Sequence, residues 1–161
     1  SGMTGILNET TTAGNDVIKG GSKADVLTST GGTNIFTGNG GSDTFDVDEG
    51  EAIGSQSVIT DFEAGSTGDV LRANGTSKAD QYDALTSSEL NAAAEQSTLT
   101  DAVDSALSNA TDSDWTAFDY DESTYAVYDT DDTFDTSNGI LVDITGVDVA
   151  NLTVDNFIGA S

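Results

Sequence analysis

The residues from Thr11 to Asp46 divide into four blocks of nine, TTAGNDVIK, GGSKADVLT, STGGTNIFT and GNGGSDTFD. Position six holds Asp16, Asp25, Asn34 and Asp43, and position eight holds Ile18, Leu27, Phe36 and Phe45. Neither series slips. A three-residue piece is enough only for a clipped strand with one large apolar side chain pointing inward. The six residues before it must reverse the chain, and the glycines among them supply the positive φ angles that such turns need. Each block is then half a coil, and turns from alternate blocks stack on opposite sides. Stacking sets Asp16 above Asn34 and Asp25 above Asp43. Piled carboxylates repel one another unless a hard cation lies between them, and oxygen-only ligation by Asp, Asn and turn carbonyls is what calcium takes. Magnesium fits less well, because turn carbonyls do not impose octahedral geometry.

The blocks follow the pattern G-G-x-G-x-D-x-U-x, and the chain resembles the RTX proteins that bacteria export by type I secretion. The resemblance implies a short parallel β-roll with Ca2+ between successive turns, held by the sixth-position side chains and by turn carbonyls. One implied site uses Asp16 and Asn34 with carbonyls near Thr11, Ala13, Thr30 and Gly32. The other uses Asp25 and Asp43 with carbonyls near Gly20, Ser22, Asn39 and Gly41. The second keeps both acids and is expected to be the tighter. The first has Asn34 in place of Asp and Thr11-Thr12 in place of Gly-Gly, and Lys23 stands where a fourth-position Gly belongs. Further on, Ser57–Phe62 (SVITDF) and Gly68–Leu71 (GDVL) resemble the segment that closes such rolls. This implies Asp61 as a ligand of the last site, balanced against an ordinary strand-turn-strand in which Ile59, Phe62 and Leu71 plug the open end. For Asp69 the plug is the favoured reading.

Composition agrees with an extracellular, calcium-dependent life. The formal net charge is -25, from 29 acidic and four basic side chains. The bases are Lys19, Lys23, Arg72 and Lys78, and residues 79–161 hold 18 acids and no base. Such a field excludes nucleic acid and anionic membrane surfaces as partners and opposes compaction until cations offset it. Acidic adaptation to salt is a compatible explanation. With no Cys and no His, disulfides, thiol metal sites and imidazole chemistry are ruled out. No apolar run reaches the length of a membrane span, and no N-terminal signal peptide is visible. Type I export, which reads an uncleaved C-terminal segment, fits this as a consequence of the resemblance. Ser1-Gly2 ahead of Met3 is expected to be a cloning remnant.

Beyond the repeats the pattern changes. Thr86-Ser87-Ser88-Glu89 is a capping box opening a short helix, and Thr98 with Asp101 opens a second. In the latter, Leu99, Ala102, Val103, Ala106 and Leu107 share one face. From Trp115 the alternation becomes β, with strands at 115–120 and 124–128 joined through Asp121-Glu122-Ser123. A third strand is expected at 139–144 and a fourth at 152–154. This region resembles the C-termini of secreted RTX-like surface and S-layer proteins, which implies an export signal around Asn151–Ser161. The acidic stretch 129–135 has an EF-hand-like opening but carries Phe134 at the required Gly and Ile140 at the required Glu, so it reads as an acidic turn. The four N-x-S/T sequons, at Asn8, Asn74, Asn109 and Asn151, read as chance in a chain this rich in Ser and Thr.

The expected architecture is mainly β with a helical insert: a leader at 1–10, a roll with its closing strands at 11–75, and an α+β cap and secretion region at 76–161. No nucleophile elbow, phosphate loop or metalloprotease helix is present, and a non-enzymatic role is expected. The first expectation is a secreted protein that folds on calcium and self-associates, or joins other surface or matrix components, after passing the type I secretion machinery. The alternatives are a secretion and folding module of a larger adhesin or enzyme, and a glycan-binding module built on Tyr120, Tyr125 and Tyr128. Neither nucleic-acid binding nor membrane insertion is expected.

Overall fold

The computed structural model describes residues 8–10, 14–48, 52–73, 82–111, 114–129, 134 and 139–159. Seven short strands come first: β1 (Asn8–Thr10), β2 (Val17–Lys19), β3 (Val26–Thr28), β4 (Ile35–Thr37), β5 (Thr44–Val47), β6 (Ser57–Ile59) and β7 (Val70–Ala73). Odd-numbered strands lie in one sheet and even-numbered strands in the other, so each turn carries the chain across the roll. Neighbours within a sheet are parallel, with Asn8 opposite Val26, Val17 opposite Ile35 and Val26 opposite Thr44. The eighteen-residue coil expected from the repeat is therefore the coil observed.

Position eight fills the space between the sheets. Ile18, Leu27, Phe36 and Phe45 are at most 2% exposed, and Ile59 and Leu71 continue the row at 0%. Phe36 and Phe45 meet edge to face with ring centroids 5.9 Å apart, a favoured aromatic geometry. Coils this thin stack only where turn backbones touch. A Cβ on Gly41, which sits at φ +125°, would lie 2.5 Å from the Ala24 nitrogen of the turn below. Gly32, at φ +86°, packs against Gly14 in the same way on the opposite side.

The regular spacing ends after β5. Ile35 pairs with Val58 and Thr44 with Val70, so both later turns carry extra residues. The chain then forms α1 (Ser87–Ala94), α2 (Leu99–Leu107), β8 (Trp115–Tyr120), β9 (Ser123–Tyr128), β10 (Ile140–Ile144) and β11 (Phe157–Gly159). β10 joins β6 in parallel, then pairs with β9 antiparallel, and β9 pairs with β8. β11 joins β7 in parallel. The sheets thus run β2-β4-β6-β10-β9-β8 and β1-β3-β5-β7-β11. Both cross the boundary expected at residues 75–76, and β1 already belongs to the roll.

One core serves the whole length. Trp115, Ala117, Ala126, Tyr128, Ile140, Val142, Ile144 and Phe157 join the same cluster as Ile18 and Leu27. The other face of the antiparallel strands presents Phe118, Tyr125, Val127 and Leu141, which the helices cover with Ala93, Ala102, Val103, Ala106 and Leu107. The helical face expected from the 99–107 spacing is the buried one. Both helix starts are capped as expected, by the Thr86–Glu89 box and by Thr98 accepting the Asp101 N–H.

Two local expectations are corrected. The β8–β9 turn has two residues, Asp121 and Glu122, at φ 47° and 69°, and Ser123 already belongs to the strand. Paired positive φ angles match the twist of the hairpin. Residues 152–154 are not a strand. Leu152 and Thr153 lie between two short 3-10 turns, Val149–Asn151 and Val154–Asn156, Val154 opens the second, and the last strand begins at Phe157. Asp148 accepts the Ala150 N–H, and Thr153 boxes with Asn156, which curls this segment. Of the acidic stretch 129–135, only Asp129 and Phe134 lie within the described residues, and Phe134 packs on the helix cluster.

Phe36→Ala empties a fully buried site between the sheets. The expected cost is about 3–5 kcal/mol, read as a lower urea midpoint in saturating calcium with an unchanged slope.

Candidate metal centre

Position six builds a column along each edge of the roll. On one edge the Asp25 N–H donates to Asp43 Oδ1 at 2.8 Å, and the Asp43 N–H donates to Asp69 Oδ1 at 2.8 Å. On the other edge the Asp16 N–H donates to Asn34 Oδ1 at 2.9 Å, and the Asn34 N–H donates to Ser57 Oγ at 2.9 Å. A short side chain carrying an oxygen acceptor is what this position requires, because it must reach the backbone one coil away. The backbone returns the bond: the Thr44 N–H donates to the Asp25 carbonyl and the Ile35 N–H to that of Asp16.

The two edges differ in charge. Asp25, Asp43 and Asp69 are each at most 2% exposed. Burial pushes Asp43 up to about 6, and the charges of Asp69, Asp25 and Asp61 add to the rise while the Asp25 N–H opposes it. Burial also raises Asp69, against the pull of the Asp43 and Glu63 N–H groups. Among the described residues the one ion pair joins Arg72 to Asp46, and Lys23 is exposed. The column gathers three buried carboxylates on one edge, and burying charge costs free energy that a cation offsets.

The donor set fits calcium. Among the described residues no three acidic side chains gather into a metal-holding group. Acids come one per turn, so turn carbonyls must complete an oxygen shell, as calcium's six to eight ligands allow. On the other edge Asp16 Oδ2 is buried and has no hydrogen-bond partner. A buried carboxylate oxygen without a donor is an acceptor that a cation fits.

Asp16, Asp25, Asn34 and Asp43 stand in the expected columns. Gly20 and Ser22 lie in the turn directly below Asn39 and Gly41. The Gly40 N–H donates to the Gly21 carbonyl, and the Asn39 amide donates to the Gly20 carbonyl at 2.9 Å. Thr30 and Gly32 lie in the turn ending at Asn34, and the Gly32 carbonyl accepts the Asn34 amide. Thr11 and Ala13 fall outside the described residues. Asp61 does not stand in the column. Its carboxylate receives the N–H groups of Gly38 and Asn39, both at 2.8 Å, and clamps the start of that turn.

Asp69 and Ser57 complete the columns; Ser57 was not expected to, and for Asp69 the plug was the favoured reading. Their signal was present: Asp69-Val70-Leu71 and Ser57-Val58-Ile59 repeat the polar-x-apolar spacing of positions six to eight. The longer turns hid it by breaking the nine-residue count. Asn156 then fastens the last turn from the C-terminal side. Its amide donates to the Asp69 carbonyl at 2.8 Å and the Gly65 carbonyl at 3.1 Å, and its Oδ1 accepts the Gly65 N–H.

Residues 10–45 match the RTX calcium-binding nonapeptide repeat, in four copies. These are RTX repeats, and RTX repeats bind calcium. No curated protein matches the chain. On the acidic edge, Asp25, Asp43 and Asp69, together with turn carbonyls, are the residues that would hold the ion. Bound calcium would supply positive charge to this column of carboxylates.

Asp43 gives calcium binding a pH signature. Its folded pKa of about 6 lies above the ordinary carboxylate value of about 3.9. Without calcium, protonation stabilises the fold, and that stability is lost as pH rises through 6. Calcium requires the ionised form, so its affinity falls as pH drops below 6, by about tenfold per unit for one displaced proton. Titration calorimetry in two buffers of different ionisation heat should show proton release near pH 6 and none at pH 8.

Proposed function

We propose that the protein is a non-enzymatic structural protein of the RTX type. It leaves a bacterial cell through type I secretion machinery, folds on extracellular calcium, and assembles with copies of itself into a surface layer or matrix. The buried acidic column is the observation that carries this reading. Where calcium is scarce, repulsion along Asp25, Asp43 and Asp69 keeps the roll loose, which suits passage through an exporter. Outside, modules with dissociation constants of about 10⁻⁴–10⁻³ M are filled by millimolar calcium. Binding to the folded state alone adds about 2.7 kcal/mol per site at a hundredfold excess over Kd. RTX proteins are typically secreted, and among the described residues no helix is long and apolar enough to cross a membrane.

Two features support self-association. Strand β2 is an edge of the six-stranded sheet, and a sheet edge offers unpaired backbone groups to another chain. Val17 and Ile35 face each other in register on the outer surface of that sheet, 65% and 43% exposed. The glycan-binding alternative loses ground. Tyr125 and Tyr128 are buried, at 8% and 1% exposed, so the hairpin does not offer three tyrosine rings to a sugar. A secretion and folding module of a larger adhesin or enzyme stays the second reading, because the continuous sheets would serve an attached cargo equally well.

Sedimentation velocity with negative-stain imaging, before and after millimolar calcium, separates the readings. Compaction followed by sheets or filaments is the expected result. Compaction to a lasting monomer would favour the folding module, and no response would remove the calcium argument.

A further inference from the structure

The two edges of the roll do not treat the cation alike. Asn34 is fully buried, and all of its polar groups are matched by protein. Its backbone N–H donates to Ser57 Oγ, and its carbonyl accepts the Val58 N–H at 2.9 Å. Its Oδ1 accepts the Asp16 N–H at 2.9 Å. That bond fixes the orientation of the amide, because only the oxygen can face an N–H donor. The Nδ2 group must then point into its own turn, where it donates to the Gly32 carbonyl at 2.8 Å and the Gly31 carbonyl at 3.4 Å. Turn carbonyls of this kind are the oxygens that a calcium ion would draw on. Here an N–H donor already holds them.

The neighbouring turn below also holds this one. The Gly14 N–H donates to the Gly31 carbonyl, and the Thr33 N–H donates to Asn15 Oδ1. Gly32 packs on Gly14 too closely to admit a Cβ. The corresponding place on the opposite edge carries a carboxylate. Asp43 Oδ2 lies against Gly38, at the start of its own turn, where it has charge to offer a cation and no proton to offer a carbonyl.

We propose that the Asn34 amide is a built-in substitute for calcium, so that the turn 29–34 closes without an ion. The roll is then unequal by design. The edge of Asp25, Asp43 and Asp69 waits for calcium, whereas the edge through Asn34 and Ser57 is held by neutral hydrogen bonds. On that second edge, the turn ending at Asp16 carries a buried carboxylate oxygen without a donor and keeps a demand for a cation. The neutral edge lets the chain hold a partly ordered register in the absence of calcium, ready for the other edge to lock. This inference rests on calcium binding by the repeats and goes beyond it in saying which turn takes none.

The test is Asn34→Asp in the full chain. The carboxylate keeps the bond to the Asp16 N–H but places a second oxygen against the Gly31 and Gly32 carbonyls. Calcium bound per chain is measured by equilibrium dialysis with elemental analysis, and melting temperature is measured with and without calcium. The expected result is one additional ion per chain, a lower melting temperature without calcium, and recovery in saturating calcium. Uptake by the wild type with no gain in N34D overturns the proposal alone. No uptake by either chain overturns both the proposal and the calcium reading beneath it. A wild-type measurement keeps the question open to refutation if the variant does not fold. The Asn34 side-chain amide protons should exchange slowly in saturating calcium, as donors buried against Gly32. Fast exchange of those protons in saturating calcium would show that the amide does not hold the turn and would overturn the assignment.

Discussion

Asp25, Asp43 and Asp69 stand one above another inside the roll, and the remaining structure answers to that column. Each carboxylate is short enough to bind an N–H one coil away, which sets the spacing at which turns stack. All three are buried, and burial disfavours the charged forms of Asp43 and Asp69. The same side chains therefore order the coil and oppose it. The opposing core is thin, because a three-residue strand turns only one large side chain inward. Ile18, Leu27, Phe36 and Phe45 are that contribution over four half-coils. With a chain charge of -25, the balance between this slender core and the repulsion falls to the cation.

What happens in the column is felt at the far end of the molecule. β10 finds its parallel partner in β6 and β11 in β7, so the C-terminal strands have no complete sheet of their own. Parallel pairing between strands this distant in sequence forms late and needs a template already in place. The roll is that template. Asn156 adds a direct tie, holding the carbonyls of Gly65 and Asp69 in the turn that ends the acidic edge. The helices cover the outer face of β8, β9 and β10, and they too depend on those strands being set.

Elements governed by short-range pattern were legible in the sequence. The nine-residue count gave the coil length, the inward row and the two columns. The capping residues Thr86 and Thr98 gave the helix starts. Long-range order left no such trace: nothing local to Ile140–Ile144 or Phe157–Gly159 says that they continue the roll's two sheets. Ser57 was missed, and Asp69 was weighed but set second to the plug, because the two longer turns interrupt the count, although the spacing before Ile59 and Leu71 is intact. The β8–β9 turn was misjudged because Asp121 and Glu122 take positive φ angles without the glycine that usually announces them. Residues 152–154 have the composition of a strand, but Asp148, Thr153 and Asn156 offer side-chain bonds that favour tight turns. Asp61 was read from its position in a motif, and its observed partners are the N–H groups of Gly38 and Asn39, at the start of the turn that ends at Asp43.

The most direct test is hydrogen exchange followed strand by strand during a calcium titration. If the acidic column governs the fold, protection of β3 and β5 in the repeats and of β10 and β11 near the C-terminus should appear together, at one calcium midpoint. Protection of β10 and β11 in calcium-free solution, with only the repeats responding to the ion, would contradict that account.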